Sequence, residues 1–231
     1  MIEFYFHPTP NPVKVALLLE ESGLPYKLFP IDTSRGEQHS AAFRKINPNG
    51  KVPAIVDTDG ATRVFDSSAI LLYLAEKTGQ FGGKPVDRGE LLSWLFFIGT
   101  GIGPYSGQAV HFQLAAPEKL PYAIKRYRWE AERHYRVLED RLQGRAFILG
   151  DDYSIADMSA WGWIDRAARV FAGEPEPLAP FPNIARWFAS IDARPTAARA
   201  RAVGKDHGFK REFDDETRRA LFPSNYPPVD A

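Results

Sequence analysis

The chain has 231 residues, 44% hydrophobic, 13% aromatic and 25% charged, the composition of a soluble globular protein with a sizeable core. Lys plus Arg and Asp plus Glu each number 29, so the formal charge is zero and no basic excess points to nucleic acid. Cysteine is absent, which excludes disulfides, zinc–thiolate sites, iron–sulfur clusters and a cysteine nucleophile.

Ile2 to Phe6 reads as a short strand, followed by the rigid turn His7-Pro8-Thr9-Pro10. Asn11-Pro12 has the form of an N-cap with proline at the first helical position, and the helix it starts closes at Gly23. Tyr26 to Ile31 is a second strand, and Gln38 to Ile46 a short helix. Lys51 to Val56 is a third strand with a proline at its start, where the missing amide is tolerated. A turn at Asp57-Thr58-Asp59-Gly60 leads to the strand Thr62 to Phe65, and Asp66-Ser67-Ser68 caps a helix ending at Gly79.

From Asp87 onward the pattern is helical. The glycines at 99, 101 and 103 miss the G-x-G-x-x-G spacing and follow no strand, so they imply a kinked helix near a pocket rather than a nucleotide loop. A helix is expected from Pro121 to Leu142, a capping box at Ser154 to Asp157, and shorter helices over 183–193 and 197–203. The charged tail from Gly204 reads as irregular; it either folds back over a site mouth or a partner subunit, or trails loosely. The five histidines show no metal-ligand spacing, no apolar run approaches the roughly 18 residues of a membrane span, and the N-terminus lacks a basic leader. No metal, no membrane and a cytoplasmic location are the expectations.

Thr9, Asn11, Val52-Pro53 and Asp66-Ser67 each mark the end of an element. Helix starts offer free amides and partial positive charge, suited to a thiolate or carboxylate, and a cis proline would leave the Val52 peptide groups free for a peptide-like ligand. Turn and cap chemistry accounts for each of these residues singly.

Together with KVPAIV and the capping box, this constellation resembles the glutathione transferase superfamily over residues 1–203. FHPTPNPVKVALLLEE, GPYSGQAVHF and PYAIKRYRWEAER look more specifically like the bacterial nu class. The resemblance implies an α/β plus all-α protein. A thioredoxin-like βαβαββα domain spans residues 1–80, an all-helical domain 87–203, and a C-terminal tail 204–231. It also implies a homodimer, with the third and fourth helices supplying much of the interface.

Glutathione is the implied cosubstrate, as one or two molecules per subunit or as its disulfide. Thr9 and Asn11 would hold its sulfur, Val52 and Pro53 its backbone, Asp66 and Ser67 its γ-glutamyl end. Gln38 and Lys51 would reach the other end, and Arg133 a ligand carboxylate. Tyr105, beside Gly103-Pro104 and Gly107, is the candidate for a second site, with Trp94, Phe96, Phe97, Phe112 and Tyr127 as further aromatics for an apolar pocket, the core or an interface. The implied activity is reduction of small or glutathione disulfides through bound glutathione thiols. A transferase or lyase acting on an aromatic electrophile or glutathione conjugate is the alternative, and a non-catalytic scaffold the third reading.

Overall fold

The computed structural model describes residues 1–226. Strand β1 (Ile2–Phe6) places Ile2, Phe4 and Phe6 wholly in the core, with the less buried Glu3 and Tyr5 on its other face. It pairs in parallel with β2 (Tyr26–Pro30) and antiparallel with β3 (Ala54–Asp57), which pairs antiparallel with β4 (Thr62–Phe65). The sheet order is therefore β2-β1-β3-β4. Helix α1 (Pro10–Ser22) supplies the crossover between β1 and β2, and it ends on Gly23 at φ 67°, where a side chain would be strained. With α3 (Ser67–Thr78) after β4, this is the expected thioredoxin-like arrangement.

Two local expectations shift. The helix expected over 38–46 is split into a 3-10 turn at Glu37–His39 and α2 (Ala41–Arg44), because the Ser40 hydroxyl accepts from the Phe43 amide at 3.2 Å and starts a new helix. β3 begins at Ala54 rather than Lys51; the Val52–Pro53 bond is cis, and proline has no amide to give the ladder.

The rest is helical. α4 (Arg88–Phe97) passes through a π-helical turn, Ile98–Ile102, into α5 (Gly103–Val110) and a second such turn at His111–Ala115. The glycines serve close approach. A Cβ on Gly101 would lie 2.5 Å from the His134 ring, and one on Gly103 would lie 2.8 Å from the Trp163 indole nitrogen. There follow α6 (Pro121–Arg141), α7 (Ile155–Ile164), α8 (Ala167–Val170), α9 (Pro182–Asp192) and α10 (Pro195–Ala202).

Ser154 and Asp157 close the expected capping box, and Asp157 also takes the Ile148 amide and the Trp187 indole N–H. α7 packs on α1 so closely that a Cβ at Gly162 would sit 2.8 Å from the Pro10 carbonyl. No helix among the described residues is long and apolar enough to cross a membrane.

The segment after Gly204 is not irregular. It carries α11 (Asp215–Leu221), capped by Asp214, and it docks on the sheet domain. The Lys210 amide donates to Asp32, Phe209 packs edge-on against His7, and the Gln38 amide donates to the Ala220 carbonyl at 3.1 Å. Residues 227–231 of the expected tail lie outside the described residues.

Candidate functional site

The start of α1 differs from expectation in a way that matters chemically. Its N-cap is Thr9, not Asn11: Thr9 is extended, its side chain makes no capping bond, and its hydroxyl has no hydrogen-bond partner among the described residues. Pro10 and Pro12 remove two amides from the first turn, and the Val13 amide already bonds the Thr9 carbonyl at 3.2 Å. The Asn11 N–H is what remains of the first-turn donors. The Asn11 side chain is anchored from the helical domain, since Trp163 Nε1 donates to its Oδ1 at 3.1 Å. Its Nδ2 is thereby left for the cavities that Asn11 lines.

Two cavities meet at this helix start. The smaller, about 380 Å³, is lined by Thr9, Asn11, Gln38, Lys51, Val52, Pro53, Asp66 and Ser67, among others. Those eight residues, picked from sequence, come from four separate parts of the chain. Val52 stands just outside the ladder, whose last β1–β3 pair is Tyr5 with Ala54. Gln38 is buried, and its Oε1 has no partner among the described residues while its Nε2 is held by Ala220. An unsatisfied buried acceptor of this kind fits a peptide donor.

Asp66 carries the local strain of the site, with φ at 70° on a non-glycine residue. Its Oδ1 accepts from the amides of Ser68 at 2.8 Å and Ala69 at 3.3 Å, so it caps α3 while it lines the cavity. Ser67, the first residue of α3, is buried beside it.

The larger cavity, about 1020 Å³, shares Asn11, Lys51, Asp66, Ser67 and Leu221 with the smaller one. Pro104, Gln108, His111, Trp163 and Arg169 line it from the helical part. Its apolar wall is Val110, Leu114, Phe213, Leu221 and Phe222, so much of it comes from the tail.

Two expected site residues lie elsewhere. Tyr105 lines neither cavity; its ring stacks on His134 at 4.8 Å and so faces α6. Arg133 lines neither cavity of this chain; its Nε donates to Glu130 at 2.9 Å on its own helix. Trp94, Phe96, Phe97, Phe112 and Tyr127 are not on the cavity walls either. Trp94 meets Phe97 edge-on, Phe112 stacks on Tyr127 at 5.1 Å, and Phe96 faces solvent.

Lys14, Trp163 and the tail residues Leu221 and Phe222 also line the larger cavity, and none of them is among the residues expected from sequence. Lys14 had a signal, as a lone charge within the apolar stretch from Val13 to Leu19.

Comparison with known proteins agrees with this architecture. Residues 9–77 match the glutathione S-transferase N-terminal domain, and residues 121–190 match the C-terminal domain. The disulfide-bond oxidoreductase YfcG of Escherichia coli is 44% identical over 206 residues, covering 87% of this chain and 94% of the relative. The disulfide-bond oxidoreductase YghU of the same organism is 37% identical, covering 90% of this chain and 76% of the relative.

A glutathione transferase from Burkholderia graminis with two glutathione molecules bound per subunit superposes with a TM-score of 0.82 at 38% identity, covering 89% of each chain. One from Pseudomonas putida with one glutathione disulfide per subunit superposes with a TM-score of 0.82 at 34% identity, covering 87% of this chain and 91% of that one. The chain belongs to the glutathione S-transferase family.

Proposed function

We propose that the protein is a glutathione-dependent disulfide-bond oxidoreductase of the nu class, with its thiol site at Thr9 and Asn11. The observation that carries this reading is the Thr9 side chain, free of any capping bond, on the wall of the smaller cavity beside the anchored Asn11 side chain, which lines both cavities. The names of YfcG and YghU, and the glutathione or glutathione disulfide in the similar structures, support it. Because the chain has no cysteine, both thiols of the redox couple come from ligand.

Bound glutathione supplies the redox chemistry: two thiols are oxidised to one disulfide, and the substrate disulfide takes up two electrons and two protons. The chain's residues set the ionisation and orientation. A free thiol has a pKa near ~8.5, so lowering it by about two units requires roughly 2.7 kcal/mol. The Thr9 hydroxyl, as a donor to a charged acceptor, contributes about 1.5–3 kcal/mol, and the helix start about 0.3–1 kcal/mol. Asn11, through Nδ2 and its N–H, adds to this. The Val52 peptide pairs with the ligand backbone, Asp66 and Ser67 take the γ-glutamyl amine and carboxylate, and Gln38 and Lys51 reach the glycyl end.

A homodimer goes with this reading, supported by the exposed Phe65, Phe96 and Trp129 on a chain of this family. A cytoplasmic setting goes with it as well, where the glutathione pool is kept reduced.

The test is glutathione-dependent reduction of hydroxyethyl disulfide, coupled to glutathione reductase and NADPH. Thr9→Ala is expected to lose at least about tenfold in kcat/KM, with Thr9→Ser recovering most of it. Absence of turnover in the wild type would sink the reading. The apolar wall of the larger cavity favours a second reading, conjugation of aromatic electrophiles. Faster turnover of a chloronitrobenzene than of the disulfide would select it.

A further inference from the structure

Lys14 follows Asn11 by three positions on α1, so the two side chains share one face of the helix. It is 1% exposed, yet it lines the larger cavity together with Asn11, Asp66 and Ser67. Among the described residues its ammonium has one hydrogen-bond partner, the Ser159 hydroxyl of α7 at 3.4 Å, and it forms no ion pair.

A buried cation so poorly compensated is costly, and an apolar side chain would fill the α1–α7 seam more cheaply. The packing nonetheless makes room for it. α7 presents a glycine where the lysine stem passes, and a Cβ on Gly162 would lie 3.2 Å from Lys14 Cβ. Burial lowers the Lys14 pKa to about 8 against the opposing field of Asp66, so the side chain remains mainly charged at neutral pH. The other charged or titratable groups on the same cavity wall are Lys51, His111 and Arg169.

We infer that Lys14 supports the bound glutathione thiolate electrostatically, as a buried cation one helical turn below Asn11. This rests on the glutathione reading above. Under that reading Ser67 accounts for one ligand carboxylate, and Lys51 for the other. The anion left at the start of α1 is the sulfur. When the thiol releases its proton to solvent, the ammonium lowers the energy of the charge that remains, and it needs no contact with sulfur to do so.

The experiment titrates the ultraviolet thiolate absorbance of glutathione bound to wild type, Lys14→Met and Lys14→Arg. Binding of S-methylglutathione, which has no ionisable thiol, is measured alongside, and thermal melting verifies folding. Lys14→Met is expected to raise the bound-thiol pKa by about one unit and to lower disulfide turnover at pH 6.5 by about fivefold. S-methylglutathione affinity should stay within about threefold, and Lys14→Arg should restore most of the thiol pKa.

An unchanged thiol pKa in a folded, glutathione-binding Lys14→Met protein overturns the inference. So does an equal loss of S-methylglutathione binding, which would assign Lys14 to packing or to a carboxylate. If Lys14→Met does not fold, Lys14→Gln, which keeps a polar tip toward Ser159, is read by the same criteria. Failure of the wild type to bind glutathione refutes the underlying reading, and this inference with it.

Discussion

The indole N–H of Trp163 reaches the side-chain oxygen of Asn11 at 3.1 Å, and so ties the middle of the helical domain to the first turn of the first helix. An amide has two ends, and this bond decides which end faces the cavities. With Oδ1 engaged, Asn11 offers Nδ2, a donor, where a sulfur anion would sit.

Trp163→Phe keeps the ring and removes the donor, so the Asn11 amide can turn over. Loss of this hydrogen bond is worth roughly 1–1.5 kcal/mol, which predicts a five- to tenfold fall in kcat/KM for disulfide reduction. Thermal stability should fall modestly, because phenyl does not fill the space that the indole occupies against Gly107. Steady-state kinetics on a folded variant checks it, and unchanged kcat/KM would show that the Asn11 orientation is immaterial.

Gly103 bears on the same pair from behind. A methyl group there would stand 2.8 Å from the Trp163 indole nitrogen, so the ring must move if residue 103 gains a side chain. Gly103→Ala is predicted to destabilise the protein by about 1–3 kcal/mol, the usual cost of overpacking. It should also lower kcat/KM in the direction of Trp163→Phe. Denaturant unfolding with parallel kinetics tests both. A stable, fully active Gly103→Ala protein would mean that the close approach is not needed.

What the sequence discloses and what it withholds divide along the range of the interaction. Thr9, Val52-Pro53 and Asp66-Ser67 are legible because helix starts and proline positions are governed by neighbours a few residues away. Even there the cap is misplaced by two positions, since Pro10 and Pro12 both suit a first turn and the sequence does not rank them. The Trp163–Asn11 bond spans 152 residues, Lys14–Ser159 spans 145 and Gln38–Ala220 spans 182.

No local pattern carries such pairs. Tyr105 misleads for the same reason: its neighbours Gly103, Pro104 and Gly107 do line the larger cavity, but the phenol ring is stacked on the imidazole of His134, 29 residues away in sequence. The tail looks irregular because its charges mask the apolar residues, Phe209, Leu221 and Phe222, that seat it.

Asp157 has four donors on one buried carboxylate: the Ile148 amide at 2.8 Å, the Ser154 amide at 3.0 Å, the Ser154 hydroxyl at 3.1 Å and the Trp187 indole at 2.9 Å. Removing the acceptor strands all of them in a fully buried place. Asp157→Ala is therefore predicted to cost about 3–5 kcal/mol, and Asp157→Asn to recover only part, because its NH2 group would face N–H donors. Ser154→Ala should cost only about 1 kcal/mol as an ordinary cap deletion. Chemical denaturation of the three variants tests this order, and equal values for Asp157→Ala and Ser154→Ala would contradict it.

The docked tail should respond to pH through two histidines. Phe209 sits edge-on against His7 at 4.8 Å, and Phe222 against His111 at 4.7 Å. Burial pulls both imidazole pKa values below the ordinary 6.5, for His7 against the opposing pull of Asp32, the Ile31 carbonyl and Glu37. A histidine whose docked-state pKa is depressed takes its proton more readily when the tail is released. Docking is then strongest above about pH 6.5 and weakens as pH falls from there toward the docked-state values. Hydrogen exchange by mass spectrometry, corrected for intrinsic rates, should show residues 204–226 losing protection at pH 5.5 relative to pH 8, while α7 stays protected. His111→Phe, which keeps an aromatic partner for Phe222 without a titratable group, should blunt that loss. Because Leu221 lines both cavities, the same acid step should widen access to the site. Equal protection of the tail at both pH values would show that neither histidine holds it.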